Sequence, residues 1–137
     1  SAHGVVLATP EYHGTFAAMT KLILENMGFP SALKDKPTAL LGIAQGRIGA
    51  IKSLEHLRSA CAHMGAIVVP ATVSVAGIQN AFAQDGTLSD AGVRAALEGA
   101  ATSLLQFLQN YVCPKYVLEA MVRDESDRAS APWTATL

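Results

Sequence analysis

Three short runs that are apolar at nearly every position, each leading into a turn and a helical repeat, set what this chain can fold into. The first is Gly4-Val5-Val6-Leu7-Ala8. A run without alternation, carrying β-branched residues, suits a parallel strand buried on both faces. Its arrest at Thr9-Pro10 argues against a buried helix, because proline disfavours helical geometry in the residue before it. Thr9-Pro10-Glu11-Tyr12-His13-Gly14-Thr15 then reads as a loop. Phe16, Met19, Leu22, Ile23 and Met27 recur at three-to-four spacing, predicting a helix capped by Thr15 and ended by Gly28 and Pro30.

The cycle repeats. Thr38 to Ala44 reads as a second strand, Gln45-Gly46-Arg47-Ile48-Gly49 as a glycine-bearing loop, and Ile51, Leu54, Leu57, Cys61 and Met64 as the apolar side of a second helix stopped by Gly65. Ala66 to Val69 reads as a third strand that meets Pro70 and continues irregularly through Val73 and Val75. Residues 76–88 look like loop, with a turn at Asp85-Gly86. Ser89 is the expected cap of a long helix presenting Val93, Leu97, Ala100, Leu104, Leu108 and Tyr111 and ending near Cys113-Pro114. Strands alternating with helices of this length imply βαβ units, hence an α/β fold with a doubly wound parallel sheet. Only about three strands are expected, where such a domain usually has five or six. Residues 1–113 are read as a partial domain and 114–137 as a partly ordered extension.

Composition removes several functions. The 137 residues suffice for one domain, and 50% of them are hydrophobic, which excludes a disordered chain. Ten basic against eleven acidic residues give a net charge of −1, without the basic footprint a nucleic-acid partner requires. No apolar run reaches membrane-span length, so no membrane partner is expected. Cys61 and Cys113 form neither a C-x-x-C pair nor a disulfide framework, and a cytoplasmic protein is expected. His56 and His63 lie seven apart on the second helix with no carboxylate or cysteine to complete a metal site, so a structural role is expected and no metal. Cys61 reads as core and Cys113 as a free thiol.

The residues 9–15, T-P-E-Y-H-G-T, resemble the T-P-E-Y-N-G-S loop of the NAD(P)H-dependent FMN reductases. Lys36-Pro37 before a strand, then Gln45-Gly46-Arg47-Ile48-Gly49-Ala50, resembles that family's K-P-V-A-L-I-G-x-x-x-G-R-x-G-G segment, and Leu54 to Pro70 is similar in spacing and character. The similarity runs from about Gly4 to Tyr111. His13 stands where Asn is usual, and Ala50 where a second glycine is usual. The family's first strand, its G-S-x-R-x-x-S phosphate loop and its second strand have no counterpart here. In the flavodoxin-like order 2-1-3-4-5, this chain would supply strands 3, 4 and 5.

The resemblance implies a flavodoxin-like enzyme that passes hydride from NAD(P)H to FMN and on to a small-molecule acceptor such as a quinone or free flavin. Its two loops would leave the carboxyl ends of adjacent strands, where open α/β sheets bind ligands. The expected cofactor-binding residues are Pro10, Glu11, Tyr12, His13 and Gly14 with Gln45, Gly46, Arg47, Ile48 and Gly49. Backbone N–H groups at a helix entrance suit the acceptors along the flavin edge, Tyr12 offers an aromatic wall, and glycines let main chain approach the ring. Arg47 reads either as a ligand contact or as a solvated turn residue. The cofactor carries the chemistry in such enzymes, so no catalytic acid–base dyad is expected.

Without a neighbour, the first strand would leave an uncharged edge exposed, a feature natural proteins avoid. Three explanations follow: a fragment of a longer protein; one chain of a homo-oligomer or split flavoprotein whose partner covers the edge; or a truncated, non-enzymatic interaction module that has lost the flavin. The helices beginning near Thr15 and Gly49 are the expected oligomer contacts.

Overall fold

The computed structural model describes residues 2–70 and 72–127. Its centre is a parallel pair: β1 (Val5–Tyr12) lies beside β3 (Pro37–Ile43), in register from Val5 opposite Thr38 to Pro10 opposite Ile43. On the far edge of β3, β4 (Ile67–Val68) pairs with Pro37 and Thr38, while β5 (Val73–Val75) pairs with Leu41 to Ile43. β4 and β5 are two halves of one strand position, parted around Pro70, which cannot donate to a ladder. The expected parallel α/β sheet of three strand positions is therefore present.

Side chains alternate across β3 and so build two cores. Leu40 faces α1 (Ala18–Glu25) and α2 (Ile51–His63), where it packs with Leu24, Leu33, Leu54, Leu57 and Cys61. Ala39 faces the opposite side, where Val69 and Leu104 pack under α3 (Ala91–Phe107). Helices on both faces make the sheet doubly wound. Gly42 permits a close contact: a Cβ there would stand 2.6 Å from the Cβ of Ala50, so glycine allows α2 to lie close on β3.

Several local expectations are corrected. β1 does not end at Ala8; it runs to Tyr12 and turns through His13 and Gly14 into β2 (Thr15–Phe16), pairing Tyr12 with Thr15 and Glu11 with Phe16. Among the described residues, β1 is paired along residues 5–10 on one side only, so Pro10 breaks no ladder on the other edge. Thr15 thus lies in a strand and does not cap α1. The entrance of that helix is fixed by buried Thr9, whose Oγ1 accepts from the Ala17 N–H at 3.1 Å and from the Thr20 hydroxyl at 3.0 Å.

Those bonds turn Thr20 and Leu24 inward, leaving Met19, Leu22 and Ile23 at least half exposed, against the expected packing of that stripe. Ile51 and Tyr111 are likewise exposed. The cap of α3 is Asp90, with Oδ1 accepting from Gly92 and Val93 at 2.8 and 3.0 Å, whereas Ser89 donates to the Ala81 carbonyl. Nor does the helix stop at Cys113-Pro114. A π-turn over Leu108–Val112 carries it into α4 (Cys113–Asp127). The wider turn makes room for the proline ring, which would otherwise strike the carbonyl four residues back. Residues 128–137 of the expected extension lie outside the described residues.

Candidate functional site

The carboxyl ends of β1 and β3 open onto a cleft of about 510 Å³. One wall is the end of β1 and its hairpin turn, with Pro10, Glu11, Tyr12 and His13. The other is the β3–α2 turn, Gln45 through Gly49. All the expected cofactor-binding residues except Gly14 line this one cleft; Gly14 sits behind it, against the Lys52 side chain. Ile43, Ala44 and Ile78 complete the lining.

Each wall has a local cause. Two-residue hairpins close best when both central residues have positive φ, which favours Asn-Gly. Here His13 has φ 51° and Gly14 φ 77°. Histidine tolerates that region better than most residues with a side chain. Gly49 has φ 76°, and a Cβ on it would come within 2.6 Å of the Ser74 hydroxyl oxygen. Glycine is required there on both counts.

The walls are tied together by side chains. Glu11 Oε2 accepts the Ser53 N–H at 3.1 Å, so a carboxylate from β1 occupies one of the unpaired donors in the first turn of α2. Ser74 Oγ, on β5, accepts the Ala50 N–H at 2.9 Å. Ser53 Oγ donates to the Ala50 carbonyl at 3.0 Å. These bonds compensate for an N-cap, Ala50, that has no side chain able to cap. The Ile78 N–H donates to the Ala44 carbonyl at 3.1 Å, closing the cleft from the β5 side.

Glu11, one of the expected cofactor-binding residues, lines the cleft while its Oε2 is engaged with the Ser53 N–H. Ser53, Ser74 and Ile78 escaped the sequence reading. Isolated serines and one isoleucine carry no periodic signal, although the alternation Val73-Ser74-Val75 marks Ser74 as facing away from its buried neighbours.

Chemically, the cleft offers main-chain donors between apolar surfaces. Among the described residues, the amides of Gly46, Arg47 and Ile48 make no backbone hydrogen bond, whereas the Gly49 amide is engaged with the Gly46 carbonyl. Tyr12 and Ile48 are 61% and 79% exposed at the rim, large apolar groups left for something flat to cover. The Arg47 side chain is exposed beside them. His56, further along α2, exchanges a hydrogen bond with the Thr15 hydroxyl at 3.0 Å.

A second cavity of about 560 Å³ lies at the opposite end of the sheet, between the carboxyl ends of α1 and α2, around Phe29, Pro30 and His63. It is slightly larger, but it gathers none of the turns that leave the carboxyl ends of the strands, where α/β sheets place ligands.

Comparison with known proteins agrees with this layout. Residues 1–80 match the sequence model of the NADPH-dependent FMN reductases. The NADH:(hydroxy)cinnamate reductase subunit CrdA of Vibrio ruber is 36% identical over 93 residues, covering 65% of this chain and 46% of that protein. The NADPH azoreductase of a Bacillus species is 36% identical over 90 residues, covering 66% of this chain and 48% of its own length. The chain thus spans about half the length of the curated relatives it matches. Among solved structures, FerB, a flavoenzyme NAD(P)H:(acceptor) oxidoreductase from Paracoccus denitrificans, superposes with a TM-score of 0.65 at 25% identity, over 80% of this chain and 63% of FerB. An oxidoreductase from Corynebacterium diphtheriae shares the fold, with a TM-score of 0.55 at 23% identity over 77% of this chain and 57% of its own. A family match over more than half of the residues, on the fold that positions both turns, places the chain in the NADPH-dependent FMN reductase family.

Proposed function

We propose that this chain forms the isoalloxazine side of the FMN site in an NAD(P)H-dependent reductase that delivers electrons to a small-molecule acceptor such as a quinone or free flavin. The observation that supports this most is the cleft itself: two turns from neighbouring parallel strands converge, with the amides of Gly46 to Ile48 unpaired among the described residues and the apolar flanks of Tyr12 and Ile48 beside them. The residues fit the group. Amides of the β3–α2 turn would donate to the acceptors of the flavin's pyrimidine edge, Tyr12 and Ile48 would cover its faces, and Pro10 and Gly49 would hold the backbone at contact distance. Bound there, FMN would supply the hydride-accepting ring. The protein's part is to orient that ring and exclude water beside it.

The names of the relatives include both NADH- and NADPH-dependent reductases, and the cleft favours neither. The exposed stripe of α1, Met19, Leu22 and Ile23, supports assembly into a homo-oligomer beside the cleft. A cytoplasmic location accords with a buried free thiol at Cys61. Among the described residues, no helix is long and apolar enough to cross a membrane.

The free edge of β1 and exposed Val6 favour a second reading, an interaction module without flavin. Size-exclusion chromatography with absorbance detection at the flavin bands, after incubation with FMN, separates the two. Co-elution of FMN, followed by NADPH oxidation with a quinone, is the expected result. A colourless peak that takes up no FMN at high micromolar concentration overturns the proposal.

A further inference from the structure

The helix α4 runs straight on from the π-turn before it, and Tyr116 meets the His3 ring edge-on at 5.3 Å. Val117, Leu118, Met121 and Val122 are each 53–62% exposed. Spaced at i and i+4, they form two adjacent apolar rows on one side of the helix. A helix of this length is marginal in water without tertiary packing. It also lies outside the 1–80 segment that the family match covers.

Charge indicates what covers the rows. Lys115 and Glu119 form an ion pair at 3.8 Å along one flank of the helix. An antiparallel copy aligned with Val117 on the two-fold axis sets Lys115 opposite Glu119 of the other copy, and Glu119 opposite its Lys115. The same register sets Cys113 across from Met121. A two-fold interface must be self-complementary, and the Lys115–Glu119 pair satisfies that condition in this register.

We propose that α4 pairs antiparallel with α4 of a second copy of this chain. Four half-exposed side chains per helix bury less than the roughly 1,200 Å² of a standard interface, so the contact is weak and reversible.

The test is thiol cross-linking of the full chain carrying Met121→Cys, mildly oxidised across a concentration series. The expected product is a covalent dimer in which mass spectrometry finds the native Cys113 peptide joined to the introduced thiol of the other copy. Adding Val117→Glu, a surface change at the proposed axis, should remove it. In parallel, sedimentation velocity should show a concentration-dependent dimer that loses affinity about tenfold or more with Val117→Glu. Links confined to Cys113 with Cys113, or no covalent dimer at several hundred micromolar, overturn the proposal. So do concentration-independent protection of residues 117–122 to hydrogen exchange, which would place the contact within one copy, and binding to anionic vesicles without self-association.

Discussion

Replacing Glu11 tests whether the two walls of the cleft are held together as the structure implies. Its carboxylate accepts the Ser53 amide across 42 positions of sequence. A hydrogen bond to a charged acceptor contributes about 1.5–3 kcal/mol, and a negative charge at a helix N-terminus about 0.3–1 kcal/mol. Glu11 is half-buried, so water would replace part of that bond in Glu11→Ala. The net loss should then be about 1–2 kcal/mol. For a chain of this size that lowers Tm by roughly 3–8 °C. Freed from β1, the β3–α2 turn should also orient its amides less well, raising the Kd for FMN about tenfold for each ~1.4 kcal/mol lost. Glu11→Gln keeps a neutral acceptor in place and should recover about half of both effects. Thermal melts followed by circular dichroism, with flavin-fluorescence titration, give both numbers. An alanine variant with unchanged Tm and unchanged affinity would refute the tie. A variant that loses Tm alone would show that the tie has no part in ligand binding.

Other residues make separate predictions. Gly49→Ala forces a Cβ against Ser74 Oγ at positive φ and should weaken FMN binding more than Ser74→Ala, which only removes the acceptor for Ala50; one titration series ranks them. His13→Asn places a better-suited residue at φ 51° and should raise Tm by about 1–4 °C, a stabilisation of a few tenths to 1 kcal/mol, while His13→Val should lower it. Burial raises the Cys61 thiol to about 11 from 9.0. The unfolded chain therefore loses this proton first, and the thiol's contribution to stability, complete below pH 9, should fade between pH 9 and about 11. Urea midpoints compared between the wild type and Cys61→Ala across that window check the sign. Native Cys61 should also resist thiol reagents until the chain unfolds.

How far the sequence reveals this fold depends on what each signal encodes. Strands buried on both faces announce themselves by unbroken apolar runs, and β1, β3 and the β4–β5 position stand where those runs lie. The hairpin after Pro10 was hidden because proline reads as an end, whereas a strand with one unpaired edge absorbs it. Helix faces were less legible. Around α1, apolar residues form more than one stripe, and the choice between them is made by Thr9 and Thr20, two hydroxyls whose contact is tertiary. The π-turn before Pro114 leaves no mark in periodicity, only a phase shift. At the cleft, glycines and turn motifs revealed the walls, but not the supports at Ser53 and Ser74, which depend on β5 and β1 arriving from distant parts of the chain.

Hydrogen exchange of the chain with and without saturating FMN tests the central claim most directly. Slowed exchange should concentrate in residues 45–49 and 10–14, strongest at the Gly46, Arg47 and Ile48 amides. Protection centred on the opposite cavity around Phe29 and His63, or no change in either turn at saturation, would contradict it.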